Sequence, residues 1–259
     1  MTKRTYMVIL TAVAIAVLSF LFYIGYSTRL TSESIARVHT RWTARNIMIA
    51  IQQYTNDYGA PPPRVLTIVE QGKSLRHSWR ALLLPYLTSK EQAALYDYHK
   101  TWDDAQNIAA ARTIGAFSLN ADTSTTAVFS IVRTTDSSET QGDCTGGVAP
   151  TVLAVVISGS RGLWSRPVDV SVDEVWDAVS SKSQVVDAIF VGGCIVSLDG
   201  IVRNKQECIE LLECMSDPTP EALLVYARIT SSAEIAERDK TCFKMAVAGP
   251  SGKTVDEPQ

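Results

Sequence analysis

"HSWRALLLPYL", His77 to Leu87, is the stretch on which the reading of this chain turns. It sets a histidine, a serine, a tryptophan and an arginine directly before an apolar block that closes on Pro85 and Tyr86. It is either the start of a catalytic site or a marker of the fold. A serine nucleophile needs a base oriented by a third group, with oxyanion donors nearby. The chain has no Gly-x-Ser-x-Gly elbow to present one. A serine before a short apolar run is explained by helix capping, with its hydroxyl accepting a backbone N–H of the first turn. On that reading Ser78 caps, Trp79 and the leucines pack, and Arg80 pairs with an acid such as Asp97 or Asp103. The expectation is a fold marker, with no catalytic residue, no cofactor and no enzymatic activity.

Upstream, "YMVILTAVAIAVLSFLFYIGY" carries no charge between Thr5 and Thr28. As a helix it would span roughly 30 Å, one bilayer core. Tyr6, Tyr23 and Tyr26 lie near its ends, where interfacial aromatics belong. A cleaved signal peptide would have a shorter apolar core and a small-x-small site, which "IGYSTRL" does not supply. Residues 1–28 therefore read as an uncleaved transmembrane anchor with the lipid bilayer as partner. Lys3 and Arg4 favour a cytoplasmic N-terminus and an extracytoplasmic C-terminal domain. A second helix is expected from Thr31 to about Tyr58, capped by Thr31 or Ser32 with Glu33 in its first turn. Ile47, Ala50, Ile51, Tyr54 and Tyr58 follow the spacing of one buried face. Arg37, Arg41 and Arg45 form an i, i+4 stripe, either a solvated face or a contact to lipid headgroups.

Gly59 and "APPP" end that helix. Residues 65–76 read as an irregular link. "SWRALLLPYL", "SKEQAALYDYHK" and "TWDDAQNIAAARTI" then read as three short helices, the last with Asp103 near its start. "AVFSIVR", "TVLAVVIS", "DAIFVGG" and "CIVSLDG" are β-branched runs bounded by turn residues, which predicts antiparallel strands. Residues 134–150 read as a polar loop. "SVDEVWDAVSS", "NKQECIELLECM" and "PEALLVYARITSSAEIAERDK" supply further helical segments, and the tail from Gly249 is expected to fray.

The net charge of −3 argues against nucleic acid as a partner, since phosphate binding needs clustered Lys and Arg. His39, His77 and His99 share no metal-ligand spacing. Asp97, Asp103 and Asp104 form no Ca²⁺-loop pattern and read as caps and surface charge. Among the five cysteines, Cys208 and Cys214 face apart on one helix. The possible bridges are Cys208 or Cys214 to Cys242, and Cys144 to Cys194.

Three motifs recur in a characteristic order. His77, Ser78, Trp79, Arg80, Leu84, Pro85, Tyr86 and Leu87 form the first. Leu95, Tyr96, Asp97, Trp102, Asp103 and Asn107 form the second. Trp164, Pro167 and Asp169 form the third. Over roughly residues 30–205 the chain resembles the DUF1559 proteins, a pilin-like family expanded in planctomycetes and similar to type II secretion pseudopilins. It departs from them in lacking a Gly-Phe-Thr-Leu-x-Glu-type leader junction in "KRTYMVILTAV". The resemblance implies an α+β fold, with a long N-terminal transmembrane and amphipathic helix packed on an antiparallel sheet, and extra short helices. It implies an anchor (1–28), a pilin-like domain (29–205) and a C-terminal helical extension and tail (206–259). The expected function is a membrane-anchored, pilin- or pseudopilin-like structural or interaction protein, with other pilin-like subunits or envelope proteins as partners. The alternatives are an anchored extracytoplasmic binding domain that does not assemble, and an anchored hydrolase.

Overall fold

The computed structural model describes residues 3–70, 72–119, 125–129, 131–132, 152–167, 169–190, 193–212, 220–233, 235 and 237–248. The polar loop 134–150, the tail from Gly249, Cys144, Cys214 and the side chain of Cys242 lie outside them. Two compact units are present, Met1–His39 and Thr40–Gln259.

A single α-helix, α1 (Lys3–Tyr58), begins in the first unit and ends in the second. No cap interrupts it at residue 31. The Thr31 hydroxyl donates back to the Ser27 carbonyl at 2.9 Å, and Ser34 does the same to Leu30. Both hydroxyls are thus spent inside a continuing helix, and neither opens a new one. The membrane expectation is corrected here. Among the described residues no helix is long and apolar enough to cross a membrane. The transmembrane anchor, the lipid bilayer as a partner, the single-pass topology and the anchored pilin-like role all fall with it.

The second unit is α+β, built on a four-stranded sheet of order β3-β5-β7-β8. Its strands are β3 (Thr125–Phe129), β5 (Val152–Leu163), β7 (Val186–Phe190) and β8 (Ile195–Ser197), all paired antiparallel. Alternation along β5 divides its side chains between two cores. Val155 and Ile157 face one, with Val186, Ala188, Phe190 and Val196. Helices α6 (Val172–Ser180), α7 (Lys205–Leu212), α8 (Pro220–Ser231) and α9 (Glu237–Ala248) cover that face through Val175, Val179, Leu211, Val225, Ile229 and Phe243. Ala154 and Val156 face the other core with Ile189 and Ile195, against Ala44, Ile47, Ala50 and Ile51 of α1. Tyr58, expected on that buried face, is 68% exposed.

Two short pairings complete the strands. β4 (Ile131–Val132) pairs in parallel with β6 (Val170–Ser171). The segment expected as an irregular link is a hairpin of β1 (Val65–Glu70) and β2 (Lys73–Ser78), in register Glu70↔Lys73 to Val65↔Ser78. Gly72, at φ +76°, sits at the second position of its two-residue turn, where a side chain would be strained. "SWRALLLPYL" forms two single turns, α2 (Trp79–Leu82) and α3 (Leu84–Leu87), broken at Leu83. Pro85 lies in the first turn of α3, where its missing N–H costs nothing. α4 (Lys90–Ala93) is capped by Ser89. α5 (Ala105–Thr113) is capped by Asp104, the residue after Asp103. Ser171 caps α6 in a reciprocal box with Glu174.

Arg41 does not belong to a solvated stripe. It is half-buried, 2.5 Å from Asp239 of α9 and 3.8 Å from the buried Asp187 of β7, which also takes the Ser197 hydroxyl. Close packing of α1 on the β7–β8 turn depends on Gly193, at φ +83°, where a Cβ would run into the Gln52 amide and lie 3.4 Å from the Met48 sulfur. Gly193→Ala is expected to lower stability by about 1–2 kcal/mol, the cost of a positive φ plus the clash. Adding Gln52→Ala should recover only the steric part. Urea unfolding of the single and double variants checks both statements.

Candidate functional site

The first motif begins at the end of β2, where alternation buries Leu75 and His77. Ser78 is buried at the N-cap of α2, and its hydroxyl accepts the Arg80 N–H at 3.3 Å. His77 is wholly buried, with Nε2 3.2 Å from the Tyr98 carbonyl and Nδ1 2.9 Å from the Tyr96 hydroxyl. A carbonyl can only accept, so Nε2 carries the proton and Nδ1 accepts from Tyr96. The Tyr96 and Tyr98 rings each meet the imidazole edge-on at 5.7 Å. Burial lowers the His77 pKa; the Tyr98 carbonyl and the Asp97 charge oppose this.

Arg80 is the largest charged side chain in the interior, 1% exposed. Its Nε donates to the Trp164 carbonyl at 3.0 Å, Nη1 to Asp169 Oδ1 at 3.0 Å and Nη2 to the Arg166 carbonyl at 3.1 Å. The partner is thus Asp169, where Asp97 or Asp103 was expected. Trp79 Nε1 donates to the same Asp169 oxygen at 3.2 Å. Burial lowers the guanidinium pKa and Asp169 opposes the shift. The first and third motifs are therefore one cluster. Trp164 is fully buried, donates from Nε1 to the Ala111 carbonyl at 2.9 Å, and packs against Tyr96 and Phe117.

The second motif is knotted by Asn107, also fully buried. Its Nδ2 donates to the carbonyls of Asp97, Lys100 and Thr101, and its Oδ1 accepts the Asp97 N–H at 2.8 Å. Asp97 accepts the His99 N–H. Trp102 is half-buried with the Arg166 guanidinium 5.9 Å from its ring. Pro85, Leu95 and Asp103 are exposed and Pro167 is half-buried, so these four stand at the edge of the cluster.

Metal chemistry has no foothold among the described residues, where no three His, Cys, Asp or Glu side chains are grouped to hold an ion. His39 and His99 are exposed. Cys208 is a buried free thiol, so its bridge to Cys242 is not formed, and burial pushes its pKa up to about 12.

A second cluster was not singled out in the sequence. Tyr54 and Tyr58 stack at 4.4 Å in the last turns of α1, and Tyr86 meets Tyr54 edge-on at 6.3 Å. The Tyr86 hydroxyl donates to Asp57 at 2.7 Å, which pushes its pKa up to about 12. The available signal was "YTNDY", two tyrosines one turn apart with an acid beside them.

Two outcomes test the main cluster. Arg80→Met leaves Asp169 buried without its cation and should cost about 3–5 kcal/mol. Adding Asp169→Leu should recover much of this but not all, because Trp79 then loses its acceptor; a denaturation cycle measures the coupling. His77 has its folded pKa below the ordinary 6.5. The unfolded chain therefore takes up a proton first as pH falls, so this contribution to stability is intact above about pH 6.5 and is lost below it. The urea midpoint of the wild type should fall more than that of His77→Gln between about pH 7.5 and pH 5.5.

No curated protein and no solved structure matches the chain. A family model described as "Protein of unknown function (DUF1559)" does match, from Thr43 to Val156, and that span holds the first two motifs while the third lies beyond it. The motif residues fold into one interlocked cluster, and over residues 43–156 this chain carries a DUF1559 domain.

Proposed function

We propose that the domain is a non-catalytic binding or scaffolding module. The observation that carries this reading is the destination of the motif polar groups. Both ring nitrogens of His77, the three donor nitrogens of Arg80, both amide atoms of Asn107 and the indole N–H of Trp79 and Trp164 all end on the domain's own backbone or side chains. A catalytic group has to keep a lone pair or a proton for a substrate. These residues spend theirs holding loops together, as buried polar groups must when water is excluded. Ser78 is fully buried and its hydroxyl is engaged as a cap, so it offers no exposed nucleophile.

The test is covalent labelling of the purified protein with a fluorophosphonate probe and a histidine-reactive reagent. Neither is expected to modify His77 or Ser78 in the folded state. Stoichiometric labelling at either residue, abolished by unfolding, would sink the reading. Ser78→Ala is expected to reduce stability by about 1 kcal/mol through the lost cap, read as a lower Tm.

A further inference from the structure

The C-terminal end of α1 gathers negative potential from three sources. A helix C-terminus carries roughly half a negative charge, effective within its last turn, and favours cations there. The last turn of α1 holds no basic residue. It carries Asp57 instead, whose bonded partner is the Tyr86 hydroxyl; among the described residues no lysine or arginine forms an ion pair with it. The faces of Tyr54, Tyr58 and Tyr86 add the negative side of their quadrupoles. Tyr58 is 68% exposed, and Tyr54 and Tyr86 are half-buried against the core that lies behind them. The platform is thus anchored from below and open above.

We propose that Tyr54, Asp57, Tyr58 and Tyr86 form a docking surface for an arginine side chain of a partner polypeptide, its guanidinium stacked on Tyr58 and paired with Asp57. The inference rests on the non-catalytic reading and names the kind of partner it serves. A guanidinium fits better than an ammonium because it is planar and weakly hydrated. It can lie flat on an open ring while its edge N–H groups reach a carboxylate. The Tyr86 hydroxyl holds Oδ2 of Asp57 and so fixes the carboxylate, leaving Oδ1 to accept. Tyrosine and arginine are also the residue types that concentrate binding energy at protein interfaces.

The test uses the full chain with ring-labelled tyrosine, titrated with a glycine–serine peptide carrying two arginines and with its lysine and citrulline counterparts. The arginine peptide is expected to shift the Tyr54, Tyr58 and Tyr86 ring resonances. It should bind about tenfold more weakly to Tyr58→Ala and to Asp57→Asn, and the citrulline and lysine peptides about fivefold or more weakly to the wild type. Tyr58 is exposed, so its removal leaves the fold intact, and Asp57→Asn keeps the shape while removing the charge. Equal affinity in both variants, or no ring shift at millimolar peptide, overturns the surface. Mass spectrometry of the recovered peptide separates the two readings. Ring shifts with a chemically altered peptide would keep the surface and overturn the non-catalytic function. An intact peptide without ring shifts would overturn the surface and leave that function standing.

Discussion

A guanidinium taken out of water must find both a countercharge and acceptors for its fork of donors, or the fold that buries it is lost. Arg80 imposes that demand at the centre of this domain. Its acceptors are the Trp164 carbonyl, the Arg166 carbonyl and Asp169, all from the segment that follows β5. β5 must therefore run on to Leu163 and the chain must then turn back under α2. Trp79 lies beneath the guanidinium at 5.5 Å and shares the Asp169 oxygen. Trp164 fills the space beside it and reaches Ala111 on α5. One buried charge thus fixes the relative placement of a hairpin, a helix and the longest strand.

Much of the frame was legible because local chemistry and global packing agree there. Ser78, Ser89 and Ser171 stand before helical turns and cap them. β7 and β8 are β-branched runs flanked by glycine, and they form. The β1–β2 hairpin was hidden because β2 reads Lys-Ser-Leu-Arg-His-Ser; only Leu75, His77 and Ser78 are buried, too few for a recognisable alternation. The end of β5, "SGSRGL", reads as a loop by composition. Its two glycines are tolerated because Gly159 lies against Gln184, where a side chain would clash, and Gly162 adopts φ +59°. The break between α2 and α3 had one signal, Pro85, which a helix accepts in its first turn and not in its interior.

The cluster itself was only half legible. Its residues were recognised, but as three separate motifs. Arg80 was matched with acids close to it in sequence, whereas its partner lies 89 residues away. A single sequence shows which residues are unusual and not which of them meet. The same limit applies to Arg41, whose helical spacing suggested a solvated face. Its carboxylate partners Asp187 and Asp239 arrive from β7 and α9. At the N-terminus the apolar run suggested a lipid-facing span, and the helix that forms there continues without a break to Tyr58.

The family match stops at Val156, part-way along β5. Sequence similarity and structural closure therefore draw different borders through this molecule. A piece cut to the matched residues would end inside the central strand. It would lack β7, which pairs with one edge of that strand, and would strand the Arg80 guanidinium without any of its three acceptors. The matched stretch is thus not a module that could be shuffled between proteins by itself. Whatever follows Val156 in this chain has to bring a carboxylate and two backbone carbonyls to one point in space, and the helices α6 to α9 have to keep the apolar faces that cover the sheet.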